Sequence, residues 1–150
     1  MVEIRRLLTI GTTVISLLAL TWPKQSVPKL YWNTTPSVPT GLYRLTSRMP
    51  AKGDLAIINL PEATAVLADA RGYLPAHSRL IKPVVAGSGD TVCRNGLVVR
   101  IEGQPPALAD AVDMRQRPLP QWEGCHRLTP SEIFVISSVR GSFDSRYFGG

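Results

Sequence analysis

The sequence is poor in the residues from which metal sites and histidine-based hydrolases are built. It holds 2 Cys and 2 His in 150 residues. Cys93 and Cys125 form no C-x-x-C pair, and with His77 and His126 at scattered positions they give no zinc-ligand spacing. No metal and no cofactor is expected. Both histidines lie in loop-like sequence with no carboxylate at a partnering spacing. They read as solvated, which sets aside a Ser-His-Asp triad. Aromatic residues make up 7%, with no RNA-binding signature among them. There is no arginine-rich block either. The 17 Lys+Arg and 11 Asp+Glu are interspersed, so the net charge of +6 reads as a solvated, membrane-proximal surface, and no nucleic-acid partner is expected. The length excludes a multidomain enzyme. Internal repeats and low-complexity tracts are absent.

Long apolar runs are also scarce. The one that exists covers residues 7–20 (LLTIGTTVISLLAL), preceded by Arg5 and Arg6 and followed by Trp22, Pro23 and Lys24. Its length suits a signal-type segment or, with Thr21 and Trp22, a marginal span. The arginine pair places the N-terminus in the cytoplasm and everything after Lys24 outside. The small-residue cleavage pattern is poor at 19–21, so an uncleaved single-pass anchor is expected. Two cysteines agree with an oxidising compartment. A Cys93–Cys125 disulfide is the favoured reading over two unpaired buried thiols.

What is plentiful is punctuation, with 13 Pro and 12 Gly. This predicts short strands and many turns. Residues 24–35 read as a polar connector. Residues 41–48 alternate like a half-buried strand, 52–54 form a turn, and 55–60 form a buried strand. Residues 61–70 are the one helix candidate after the anchor, opened by Pro61 and closed by Arg71-Gly72. Residues 78–86 are strand-like but interrupted by Pro83, which requires an edge or a bulge. Residues 91–102 predict a hairpin turning at Asn95-Gly96. Residues 103–124 read as a surface loop, and 132–138 as a further strand. The sum is a mainly β, exported domain.

Three segments carry chemistry. Pro36 and Pro39 stiffen the backbone around Ser37. Lys82 sits inside an apolar strand, where burial disfavours the ammonium and suits lysine to act as a base. The third segment runs SFDSRYFG over 142–149. A serine hydroxyl needs such a base to become nucleophilic. Each segment alone has a plainer reading: a turn serine, an amphipathic strand lysine and a surface ion pair.

Together and in this order, the segments resemble the serine/lysine peptidases of the signal peptidase I superfamily (S26). S-V-P-T-G-L-Y at 37–43 is similar to the S-x-P-x-G-x-Y form of the conjugative-transfer pilin-maturation peptidases, the TraF type. K-P-V-V-A-G-S-G-D-T-V at 82–92 resembles the base box, Lys52-Gly53-Asp54 the box before it, and D-S-R-Y-F-G at 144–149 the last box. The resemblance implies a signal-peptidase-like antiparallel β-sheet catalytic domain with one short helix, preceded by a single transmembrane helix. It implies Ser37 as the acyl-forming nucleophile and Lys82 as general base. It further implies an oxyanion hole from the Ser37 amide and the Thr35 hydroxyl, Ser142 orienting the amine, and Asp144 and Arg146 pairing behind it.

The expected organisation is an anchor over 1–22, a linker over 23–34 and a peptidase domain over 35–150. Relatives continue with a further strand-forming segment, so the domain reads as truncated at its C-terminus. The expected activity is cleavage of an exported precursor at the cytoplasmic membrane, outside the cytoplasm. A conjugative pilin is the favoured substrate, with ring closure after cleavage in some members and the transfer apparatus as a partner. The alternatives are a general signal peptidase acting on secretory preproteins and an inactive anchored scaffold.

Overall fold

The computed structural model describes residues 30–75 and 77–150. The expected anchor at 1–22 and most of the linker lie outside the described residues. Among the described residues, no helix is long and apolar enough to cross a membrane. Residues 32–43 and 47–150 make one compact unit, which contains every candidate site residue.

The unit is mainly β, as the alternation and punctuation predict. In chain order the elements are β1 (Leu30–Asn33), β2 (Gly41–Arg44), β3 (Leu55–Asn59), helix α1 (Glu62–Ala70), β4 (Arg79–Ala86), β5 (Thr91–Asn95), β6 (Val98–Ile101), β7 (Ala107–Leu108), β8 (Gly124–Arg127), β9 (Phe134–Val135) and the single-turn helix α2 (Ser145–Phe148). β1 pairs with β2, a three-stranded sheet runs β3-β4-β9, and a four-stranded sheet runs β7-β6-β5-β8. The pairings within the last two sheets are antiparallel.

β4 positions the site. As the middle strand of its sheet it is buried on both faces, which explains its near-continuous apolar run. Side chains alternate across a strand, so Leu80, Lys82 and Val84 share one face. Val84 packs with Ala56 and Val135, and Ala86 with Val92, Val99, Leu128 and Phe134. The Lys52-Gly53-Asp54 turn fixes the register from outside: Gly53 N donates to Val84 O and Val84 N donates to Asp54 O, both at 2.8 Å. Gly53 has φ 93° there, a conformation open to glycine.

Four local expectations change. Pro83 does not interrupt the strand. Its backbone faces the β9 side, where the partner is only two residues long and the register shifts between Val84 and Ala86. The missing N–H therefore breaks no ladder, and Pro83 O still accepts from Ile136 N at 3.2 Å. The hairpin pairs Asn95 with Val98, so its two-residue turn is Gly96-Leu97, one residue later than read. Gly96 carries φ 57° at the first of these positions, where such turns favour glycine. Residues 103–124 are more than a surface loop: they supply β7 and an antiparallel bridge between Val112 and Pro118. The strand expected over 132–138 shrinks to β9.

Cys93 and Cys125 are bonded and face each other across β5 and β8. The bridge closes a loop of 32 residues in sequence separation. Restricting the unfolded chain in this way contributes about 3–4 kcal/mol. We therefore expect Cys93→Ala/Cys125→Ala to lower the unfolding free energy by that amount in urea titration. A loss under about 1 kcal/mol would remove the disulfide from the forces that hold the four-stranded sheet.

Candidate active site

Ser37 lies in a turn between β1 and β2, and the buried side chain of Asn33 builds that turn. Asn33 Nδ2 donates to the carbonyls of Thr35 (2.8 Å), Pro39 (3.2 Å) and Val38 (3.3 Å). Its Oδ1 accepts from Thr35 N at 3.1 Å and from Thr35 Oγ1 at 2.9 Å. Two prolines limit the backbone and one asparagine closes it, so the serine is held on a preformed loop. A second clamp comes from 100 residues away: Ser137 Oγ donates to Ser37 O at 2.8 Å. Thr35 has one hydroxyl proton, and here Asn33 takes it. Donation to an oxyanion requires that hydroxyl to rotate.

Lys82 is 2% exposed. Its Nζ donates to Ser142 Oγ at 2.5 Å. Burial is the largest influence on the amine and pushes its pKa below the ordinary lysine value; Asp144 pulls it up and Arg146 pushes it down. Those two charges are tied to each other. Arg146 Nε meets Asp144 Oδ1 at 2.8 Å and Arg146 Nη2 meets Oδ2 at 2.9 Å. This bidentate fork confines the carboxylate's field, so burial decides the direction. Asp144 is fully buried and also accepts from Ser137 N at 3.0 Å. Arg146 Nη2 donates to Ser142 O at 3.2 Å and Nη1 to Leu108 O at 3.1 Å. Ser137 thus touches both the Ser37 loop and the Asp144–Arg146 pair.

Ser37, Thr35, Lys82 and Ser142 all line one cleft of about 990 Å³. Asp144 and Arg146 sit behind it. The far wall comes from residues 110–119, read from sequence as a surface loop. Asp113 organises that wall: its carboxylate accepts from Tyr73 OH (2.5 Å), Arg117 Nε (2.7 Å), Arg115 N (2.8 Å) and Arg117 N (2.9 Å). Burial opposes its charge, but these four donors prevail and hold the carboxyl well below the usual range. Arg71 Nη1 adds a bond to Pro118 O at 2.6 Å. Tyr73 in turn packs against Phe143, between Ser142 and Asp144 in the chain.

Sequence reasoning missed Asn33, Ser137 and Asp113. Asn33 lies in what reads as a polar connector, and its amide is fully engaged with the Ser37 turn. Ser137 acts on the Ser37 turn from 100 residues away, where no local signal exists, and Asp113 joins its local donors Arg115 and Arg117 to Tyr73, 40 residues away. One histidine reading changes as well. His126 is exposed, but Nε2 lies 3.0 Å from Glu132 Oε2. Donation from Thr129 N, and then His126, lowers the Glu132 pKa to about 2. This pair is outside the cleft lining. Among the described residues no cluster of ligands suits a metal ion.

Residues 3–150 match the family described as signal peptidase, peptidase S26. A probable conjugal transfer protein TraF of Sinorhizobium fredii is 40% identical over 129 residues, covering 78% of this chain and 67% of that protein. A plasmid transfer protein TraF of Escherichia coli is 35% identical over 129 residues, covering 78% of this chain and 72% of that protein. A conjugal transfer protein TraF of Agrobacterium fabrum is 36% identical over the same length, with 78% and 72% covered. No solved structure matches the chain.

A lowered lysine pKa has a stability consequence. The unfolded chain's amine titrates near the ordinary 10.5 and the folded one's below it. Between those values the unfolded state binds the extra proton, so stability rises with pH there and the penalty is fullest below the folded value. Lys82→Met removes a buried amine but strands Ser142 Oγ. We expect a net gain of about 1–2 kcal/mol at pH 7 and a flatter stability curve up to pH 10.5, measured by urea titration at a series of pH values. A loss of stability with an unchanged pH slope would contradict the assignment.

Proposed function

We propose, from the premise that the chain belongs to the signal peptidase S26 family, that it is a membrane-anchored serine endopeptidase that processes an exported precursor in conjugative transfer. The observation that carries this reading is the buried Lys82 amine, held on Ser142 in the cleft that Ser37 also lines. The apolar segment at 7–20, with its basic flank, supports an anchor that leaves the peptidase domain outside the cytoplasm. The transfer proteins among its relatives support a role in conjugative transfer, and the likeness of residues 37–43 to the pilin-maturation form makes a pilin subunit the proposed precursor.

In the proposed mechanism the Ser37 hydroxyl passes its proton to neutral Lys82 as Oγ attacks the scissile carbonyl. Donating to Ser142 Oγ leaves the amine's lone pair available for that proton. The Ser37 N–H and the rotated Thr35 hydroxyl stabilise the oxyanion. Collapse breaks the peptide C–N bond, the Lys82 ammonium returns the proton to the leaving amine, and the acyl group stays on Ser37. Water then attacks the ester with Lys82 again as base. If an amine of the same precursor attacks instead, the product is a ring. No metal or cofactor enters any step.

Membranes carrying the chain and a cognate pilin precursor test this reading. Ser37→Ala and Lys82→Ala should each reduce processing by about 10⁴-fold or more. Lys82→Arg should be as inactive, because guanidinium does not deprotonate. Activity should rise with pH as Lys82 loses its proton, at a pH below that of an ordinary lysine. Wild-type processing by Ser37→Ala would end the proposal. The family description favours a second reading, general signal peptidase activity; cleavage of ordinary secretory preproteins would support it, and pilin-only cleavage would exclude it.

A further inference from the structure

We propose that Arg94 and Trp122 are positioning residues for the Lys82 amine, acting through the single-turn helix α2. The inference rests on Lys82 serving as the base.

Arg94 stands on β5 and is 2% exposed. Its hydrogen bonds go to carbonyls. Nε donates to Gly96 O at 2.8 Å, and Nη1 to Arg146 O at 2.5 Å and Pro120 O at 3.4 Å. Nη2 is buried with no hydrogen-bond partner among the described residues. Trp122 Nε1 donates to Ser145 O at 3.2 Å. The two side chains therefore hold consecutive carbonyls of α2.

A helix of 4 residues has too few internal bonds to hold its own geometry: Gly149 N donates to Ser145 O at 3.0 Å, and the carbonyls after it need outside donors. Arg94 provides one for Arg146 O, and Trp122 adds a second donor to Ser145 O, both from the four-stranded sheet side. From the same turn, the Arg146 guanidinium grips Asp144 and donates to Ser142 O. Ser142 Oγ accepts from Lys82 Nζ. Three contacts thus join Arg94 to the amine. A purely structural core would gain from an apolar residue at 94, because a buried cation with an idle donor is unfavourable. A carbonyl clamp behind the catalytic segment accounts for its presence.

The test uses the full chain with a precursor substrate, reading kcat, KM and the pH profile of kcat/KM. Asp144 and Arg146 are the charged groups acting on Lys82, and both are kept. Arg94→Met should lower kcat about 10- to 100-fold with KM within about threefold. It should also move the acid limb to higher pH by about half a unit or more, as the loosened amine gains water. Arg94→Lys should recover part of both effects, and Trp122→Phe should move them in the same direction. Val92→Ala, a core change elsewhere on β5, should lower stability with the acid limb in place. A folded Arg94→Met with wild-type kcat and acid limb overturns the inference, as does an equal shift in Val92→Ala. If Arg94→Met does not fold, an unmoved acid limb in Trp122→Phe overturns it. Activity in Ser37→Ala would instead refute the peptidase reading itself.

Discussion

The arrangement depends on one contact, the Lys82 amine against Ser142 Oγ, at a side chain only 2% exposed. An ammonium there is unfavourable, so the folded chain holds the amine closer to neutrality than solvent would. That outcome requires three conditions at once. β4 must be buried on both faces, as Leu80, Ile81 and Lys82 are. Ser142 must be fixed, which Arg146 does by binding its carbonyl. The nearby carboxylate must be matched, which Arg146 does by its fork on Asp144. Without that fork, Asp144 would favour the protonated amine and counter the effect of burial.

The serine side of the cleft is built to the same standard by different means. Asn33 knits the turn that carries Ser37, and Ser137 fastens that turn to the Asp144–Arg146 pair. Nucleophile and base are therefore referred to one rigid block. Such preorganisation lets a weak nucleophile react without waiting for geometry. The wall at 110–119 is held by a saturated carboxylate, Asp113.

The legible and illegible parts separate by contact range. The alternation read over 41–48, of which only Gly41–Arg44 forms a strand, the Pro61 helix start and the apolar run of β4 are local, and the sequence pattern found them. The serine, lysine and final boxes were also legible, because their residue types are constrained at short spacing. Pro83 meets the expected irregularity, a register shift beside it on the β9 side, but the strand continues through it because β9 is short, a property of another segment. The cleft wall at 110–119 looked like any polar, proline-rich loop until Tyr73 and Arg71 were seen to tie it down. Arg94 carried no signal at all: its partner Arg146 is 52 residues away, and a strand arginine is ordinarily solvated.

The rate at which a serine-directed acylating reagent modifies Ser37, followed by mass spectrometry across pH, tests the coupling of burial to reactivity most directly. The wild-type rate should climb to a plateau at a pH below the titration of an ordinary lysine, and Lys82→Met should react slowly with no such climb. Equal rates and equal pH dependence in the two proteins would contradict the view that the buried amine activates the serine.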